Sequence, residues 1–108
     1  MKIKIIGIPP NDEFAFKIPS PEAPEDIRKG FVGQVFEVWE TEKGAGNAVN
    51  ACTKYPLEEV CAKAYLISTS EMNKVFGATS ETVKWYSSHR PAINAVMLID
   101  KKACEVVN

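Results

Sequence analysis

The chain carries very little with which to build catalytic or metal chemistry: one histidine, His89, and three cysteines, Cys52, Cys61 and Cys104, set far apart. Any Cys–His or Ser–His reaction would have to run through His89, and no local signature places a cysteine beside it. At the end of a helix, that histidine reads instead as a solvated side chain favoured by the helix dipole. Structural zinc ligands come in pairs about two to four residues apart, because one turn then supplies two corners of the tetrahedron. The closest pair here, Cys52 and Cys61, is nine positions apart. Lys43-Gly44-Ala45-Gly46-Asn47 lacks the length of a phosphate-cradling loop and the Lys-Ser/Thr that would follow it, so it reads as a hairpin loop. Glu58-Glu59 and the stretch 21–26 read as solvated acidic surface. The expectation is no catalytic residue, no metal and no cofactor.

Charge of one sign is also missing. Thirteen basic and fourteen acidic residues leave a formal charge of −1, whereas a face that grips nucleic acid broadly is usually basic. Long apolar runs are absent too. The longest, Ala95 to Ile99, is five residues, against the roughly 20 a membrane helix needs, so no membrane role is expected. The start, MKIKIIGIPP, breaks at a double proline without the apolar core or cleavage site of a secretory signal. An odd number of widely spaced cysteines fits reduced, mostly buried thiols, and the two observations together predict a cytoplasmic protein.

What remains is ordinary globular material. With 108 residues, 45% apolar and 25% charged, the chain suits one domain, 1–108, with a modest core of its own. Lys2 to Ile8 is rich in β-branched residues and reads as a strand with a wet lysine face. Phe14 to Ile18 reads as a short extended piece, and Pro19, Pro21 and Pro24 make a connector that excludes regular structure. Glu25 to Lys29 fits one helical turn between Pro24 and Gly30. Phe31 to Glu42 is the strongest strand pattern, apolar at the centre of both sides and therefore expected in a sheet interior. Gly30 and Gly33 before it mark a bulge or a close backbone approach. Ala48 to Tyr55 reads as a weaker strand. Pro56 to Ser68 fits two patterns: Leu57, Val60, Cys61, Ala64 and Tyr65 have helical spacing, while Lys63 to Ser68 also reads as a strand; a short helix from about Leu57 followed by an extended Tyr65 to Ile67 reconciles them. Ala95 to Asp100 and Cys104 to Val107 complete the strands.

Ser68 to Tyr86 is the most informative window. Ser68 and Glu71 have the spacing of a capping box, and Met72, Val75 and Phe76 form one apolar stripe. Gly77 suits a helix-closing residue of positive φ, and Thr79 or Ser80 suits the cap of a second helix that starts near Glu81 and ends near His89. At Met72, Phe76, Gly77, Ala78, Thr82, Val83 and Tyr86 this pair resembles the helix-turn-helix of excisionase-like and MerR-like winged domains, departing from them at Asn73, where those families prefer alanine. The resemblance implies DNA binding, with Ser80, Glu81, Lys84, Trp85 and Ser88 facing the major groove and Ala95 to Val107 supplying the wing. One base and one acid among those five are a poor match to phosphate.

A second resemblance spans nearly the whole chain. Ala23-Pro24-Glu25-Asp26-Ile27-Arg28, Val32-Gly33, Trp85-Tyr86 and Cys104-Glu105-Val106 resemble a family of small uncharacterised bacterial proteins of this length. It implies a compact bacterial domain without an assigned reaction, in which Trp85-Tyr86 packs.

The sequence thus predicts an α+β domain, a small twisted, mainly antiparallel sheet or partly open barrel covered by the helix pair Thr69–His89. Its expected core is Ile3, Ile5, Phe31, Val35, Phe36, Val38, Leu66, Val75, Phe76, Val83, Tyr86, Val96, Leu98 and Val106. The expected role is a non-enzymatic binding or interaction module, partnered by another protein or by a second copy. Trp39, Phe14, Phe16 and Trp85 are its candidate contact residues: a tryptophan in so small a domain rarely buries its whole ring, and aromatic anchors dominate interfaces. A partly open barrel would also allow a small apolar ligand. The alternative is a DNA-binding regulator that uses the helix pair.

Overall fold

Ile3 and Ile5 alternate with Lys2 and Lys4, and this period of two makes Lys2–Ile5 a strand with one apolar face (β1). A computed structural model describes residues 1–10, 22–38, 54–77, 79–89 and 96–107. Along them run β1, α1 (Glu25–Lys29), β2 (Val35–Glu37), α2 (Leu57–Lys63), β3 (Ala64–Ser68), α3 (Thr69–Phe76), α4 (Glu81–His89), β4 (Val96–Asp100), a 3-10 turn (Lys101–Ala103) and β5 (Cys104–Val106). The strands form two antiparallel sheets, β2-β1-β5 and β3-β4. The fold is α+β, as expected, but the described strands do not close into a barrel.

The split has a local cause. After β4, Lys102 N–H donates to Asp100 Oδ1 at 2.7 Å, which caps the 3-10 turn, and the turn hands the chain from one sheet to the other. β4 pairs with β3 from Val96 opposite Ser68 to Asp100 opposite Ala64. β5 pairs with β1, Val106 opposite Ile3 and Cys104 opposite Ile5. One core joins both sheets and α3: Ile3, Ile5, Phe31, Phe36, Val38, Ile67, Met72 and Ile99 are buried together, with Val75, Phe76 and Tyr86 packed against them.

Several expectations are corrected here. β1 ends at Ile5 instead of Ile8. The strand expected from Phe31 to Glu42 is, among the described residues, only Val35–Glu37, because Phe31 to Gly33 form a turn. β2 is the outer strand of its sheet and β1 the central one. Val35 (41% exposed) and Val106 (47% exposed) lie outside the core that was to include them. Val35 stands opposite Lys4 on the open face, and Val106 sits at the β5 edge, where the core runs out. The Val96 side chain, Phe14 to Ile18, Lys43 to Asn47 and 48–53 lie outside the described residues.

The two glycines before β2 act differently. Gly33 has φ +88° with open space around it, and its N–H donates to Ile5 O at 2.8 Å, so its need is conformational. Gly30 has an ordinary helical φ of −60°, but a Cβ there would stand 2.8 Å from Thr82 Oγ1. Here the need is close approach of α1 to α4. Arg28 fixes the other end of α1, with Nε donating to Ala23 O at 3.1 Å and a terminal nitrogen to Pro9 O at 2.9 Å.

Candidate functional site

The helix pair forms where its caps place it. Glu71 N–H donates to Ser68 Oγ at 3.1 Å and Val83 N–H to Ser80 Oγ at 3.1 Å, so each serine satisfies one otherwise orphaned donor at a helix start. Gly77, between them, has φ +83° and ψ 148°, a region in which only glycine is at ease. Ser68→Ala should cost about 1 kcal/mol in chemical denaturation. An unchanged midpoint would show that the Ser68 bond contributes nothing to stability.

The capping box is completed differently from its usual form. The Glu71 carboxylate Oε2 accepts the N–H of Glu37 in β2 at 2.6 Å. In the β1–β2 ladder, Ile5 N–H donates to Gln34 O and Val38 N–H to Met1 O. By the alternation of an antiparallel ladder, the Glu37 N–H therefore points out of the sheet. The α3 cap thus sets a charge over one outward position of the β2 edge, a recognised way to discourage strand addition. The Glu37 side chain meanwhile pairs with the N-terminal amine at 3.1 Å.

Of the five residues placed against a DNA groove, Glu81, Lys84 and Ser88 are exposed on α4, Trp85 is half-buried, and Ser80 serves as the cap. Thr82 and Val83 form the buried side. Trp85 meets Tyr86 edge-on at 4.9 Å and stacks on His89 at 4.5 Å, while His89 Nδ1–H donates to Trp85 O at 2.8 Å. Tyr86 carries the contact inward to Phe31, at 6.0 Å between centroids. The packing of Trp85 is thus tied to the aromatic core, and His89 closes the last turn of its own helix. The expected wing is a correction: β4 and β5 belong to different sheets and form no hairpin. Of the candidate contact residues, Trp39, Phe14 and Phe16 lie outside the described residues, as do Ala78, Cys52, Ala95 and Pro91.

The open surface that sequence reasoning missed is the outer face of β2-β1-β5. Lys2 stands opposite Glu37, and Lys4 lies between Val35 and Glu105. Ile6 continues this side of β1 and is 52% exposed. The pairing of Lys2 and Lys4 with acids across the strands was the available signal, since opposite charges face each other on solvated sheet faces. On the second sheet, the Lys101 ammonium lies 5.0 Å from the centre of the Tyr65 ring, which fastens the 3-10 turn to β3.

Both described thiols are free. Burial pushes Cys61 above its ordinary value, partly offset by the nearby Lys101. Burial, with a smaller push from Asp100, raises Cys104 to about 11; its Sγ–H donates to Asp100 O at 3.4 Å. Nucleophilic cysteines need the opposite shift. Alkylation of Cys61 and Cys104 at neutral pH should be slower than that of an unstructured thiol; equal rates would contradict the raised values. For Cys104 the folded thiol keeps its proton to higher pH than the unfolded one. Its contribution to stability is therefore present below about pH 9 and is lost as pH climbs towards 11.

Among the described residues, no group of three or more His, Cys, Asp or Glu side chains is placed to hold a metal ion, and no helix is long and apolar enough to cross a membrane. No family model, no curated protein and no solved structure matches this chain.

Proposed function

We propose that this chain is a small, non-enzymatic interaction module of the bacterial cytoplasm that associates with protein, including a second copy of itself. The observation that carries this reading is the outer face of β2-β1-β5, which is open among the described residues. There Ile6 and Val35, 52% and 41% exposed, lie among Lys2, Lys4, Glu37 and Glu105. Apolar side chains set among charges of both signs suit a protein surface, whereas a phosphate backbone asks for one sign. The raised thiols and the engagement of His89 with Trp85 support the non-enzymatic part. The free state of Cys61 and Cys104 fits a reducing compartment.

The test is sedimentation over a wide range of protein concentration. The expected result is a weight-average mass that rises towards twice the monomer. Trp39→Ala tests the tryptophan as an anchor and should shift the equilibrium towards monomer if Trp39 forms the contact. A strict monomer at millimolar concentration would refute self-association.

A second reading rests on the exposed Glu81, Lys84 and Ser88 of α4, the helix that the helix-turn-helix resemblance assigns to a DNA groove. It requires retardation of duplex DNA at low salt, weakened by Lys84→Ala and falling steeply with added salt. Without retardation of mixed-sequence DNA at low ionic strength, a general duplex binder is discarded.

A further inference from the structure

The three-stranded sheet has two edges, and they are treated differently. At the β2 edge the outward Glu37 N–H is taken by the Glu71 carboxylate. At the β5 edge, Ile6 N–H donates to Ala103 O and Val107 N–H to Lys2 O. Antiparallel ladders alternate, so Ala103, Glu105 and Val107 bond inward to β1, while Cys104 and Val106 turn their backbone groups outward. The Cys104 N–H is already given to Lys101 O across the 3-10 turn. Among the described residues, Val106 is therefore the one position of β5 that offers an outward donor and acceptor together.

Its side chain makes the same point. Val106 is opposite Ile3 and so on the core side of the sheet, in a row with Phe36. Ile3 and Phe36 are 0% exposed, whereas Val106 is 47% exposed. The apolar row continues to the edge and stops uncovered.

We propose that β5 is a self-pairing edge: two copies join antiparallel about a two-fold axis at Val106, making one continuous six-stranded sheet. This rests on the interaction-module reading and places its self-contact at the sheet edge that adjoins the open outer face. A second copy fits because a two-fold antiparallel edge is self-complementary: the Val106 N–H of each protomer meets the Val106 carbonyl of the other. The charges select this register. Centring the axis on Glu105 would set that carboxylate against its own copy and would use an N–H already given to β1. Centring it on Val106 puts Glu105 opposite Val107 of the second copy and brings the two exposed valines together on the core side. The Glu71 carboxylate at the β2 edge disfavours growth there, which favours a closed pair. A strand of three residues makes a small contact, so the dimer exchanges quickly and depends on concentration.

Sedimentation velocity and amide hydrogen exchange on the full chain test this. For the wild type, the weight-average sedimentation coefficient should rise with concentration, and Val106 N–H exchange should slow roughly tenfold or more between dilute and concentrated protein. The neighbouring inward amide of Glu105 should change much less. Val106→Lys, at an already exposed side chain, should remain monomeric throughout. A dimer that Val106→Lys leaves intact, or that only Trp39→Ala disperses, overturns the β5 surface while the module reading stands. A wild type that stays monomeric overturns the β5 pairing together with self-association, and leaves only a different protein as partner of the module. The exchange measurement needs no variant, so a concentration-independent Val106 amide overturns the proposal even if Val106→Lys fails to fold.

Discussion

Phe31→Ala should remove about 3–5 kcal/mol of stability, the range for emptying a buried phenylalanine site. The reason lies in what this one ring joins. Phe31 is 1% exposed and sits in the turn between α1 and β2. It touches Phe76 edge-on at 5.2 Å, Tyr86 edge-on at 6.0 Å and Phe36 at 6.1 Å. Those partners belong to the ends of α3 and α4 and to β2, so a single side chain locks the helix pair onto the three-stranded sheet. Phe36 and Phe76 also meet, at 5.8 Å, so the three rings and Tyr86 form one aromatic group with Phe31 in contact with each of the others. For a small domain whose whole stability is of the order of 5–15 kcal/mol, such a loss approaches unfolding at room temperature. Phe31→Leu, which keeps most of the volume, should lose much less. Urea denaturation followed by near-UV circular dichroism measures both. A loss below about 1 kcal/mol for Phe31→Ala would mean that the three partners hold one another without it.

How much of this was legible beforehand varies with the range of the interaction. The capping serines and the positive φ of Gly77 are local, and the spacing of residues in the chain carries them; the switch from helix to strand at Ala64 falls where the pattern fits both. The partners of each strand are not local. Phe31 to Glu42 has the stronger apolar alternation, yet β1 is the central strand. Lys2 and Lys4 mark a wet face of β1 in the sequence and are exposed on one; what the sequence does not carry is that they stand opposite Glu37 and Glu105, while Ile3 and Ile5 fill the core beneath. Val35 and Val106 have the composition of core residues and are exposed because of where their strands end up. The junction between Glu71 and the Glu37 N–H spans 34 positions and has no signature in either segment. The same limit applies to the site. Trp85 could be singled out as an aromatic on a helix, but its stacking on His89 follows from their separation by one helical turn, and its link to Phe31 from packing alone.

The close approach of α1 to α4 gives the second large effect, and here the sign depends on a partner. Gly30 has a helical backbone conformation that alanine adopts without strain. In open space Gly30→Ala would therefore stabilise by about 0.4–1 kcal/mol through the unfolded chain. The space is not open: the new methyl would stand 2.8 Å from Thr82 Oγ1 and 3.2 Å from Ile27 O. Thr82 is buried, at 7% exposure, so even though threonine in a helix divides between two χ1 rotamers, its packed surroundings leave little room into which the hydroxyl can withdraw. Overpacking of this kind costs about 1–3 kcal/mol, which outweighs the entropic gain, so Gly30→Ala should destabilise. Thr82→Ala removes the obstructing hydroxyl, and in that background the same change at Gly30 should be neutral or stabilising. The double-mutant cycle should therefore show a coupling of at least about 1 kcal/mol, well above the additivity expected of sites that do not touch. If Gly30→Ala destabilises equally in both backgrounds, the obstruction is the Ile27 carbonyl and not Thr82. If it stabilises the wild type, the two helices are free to move apart, and the packing of α1 against α4 is not what requires glycine at this position.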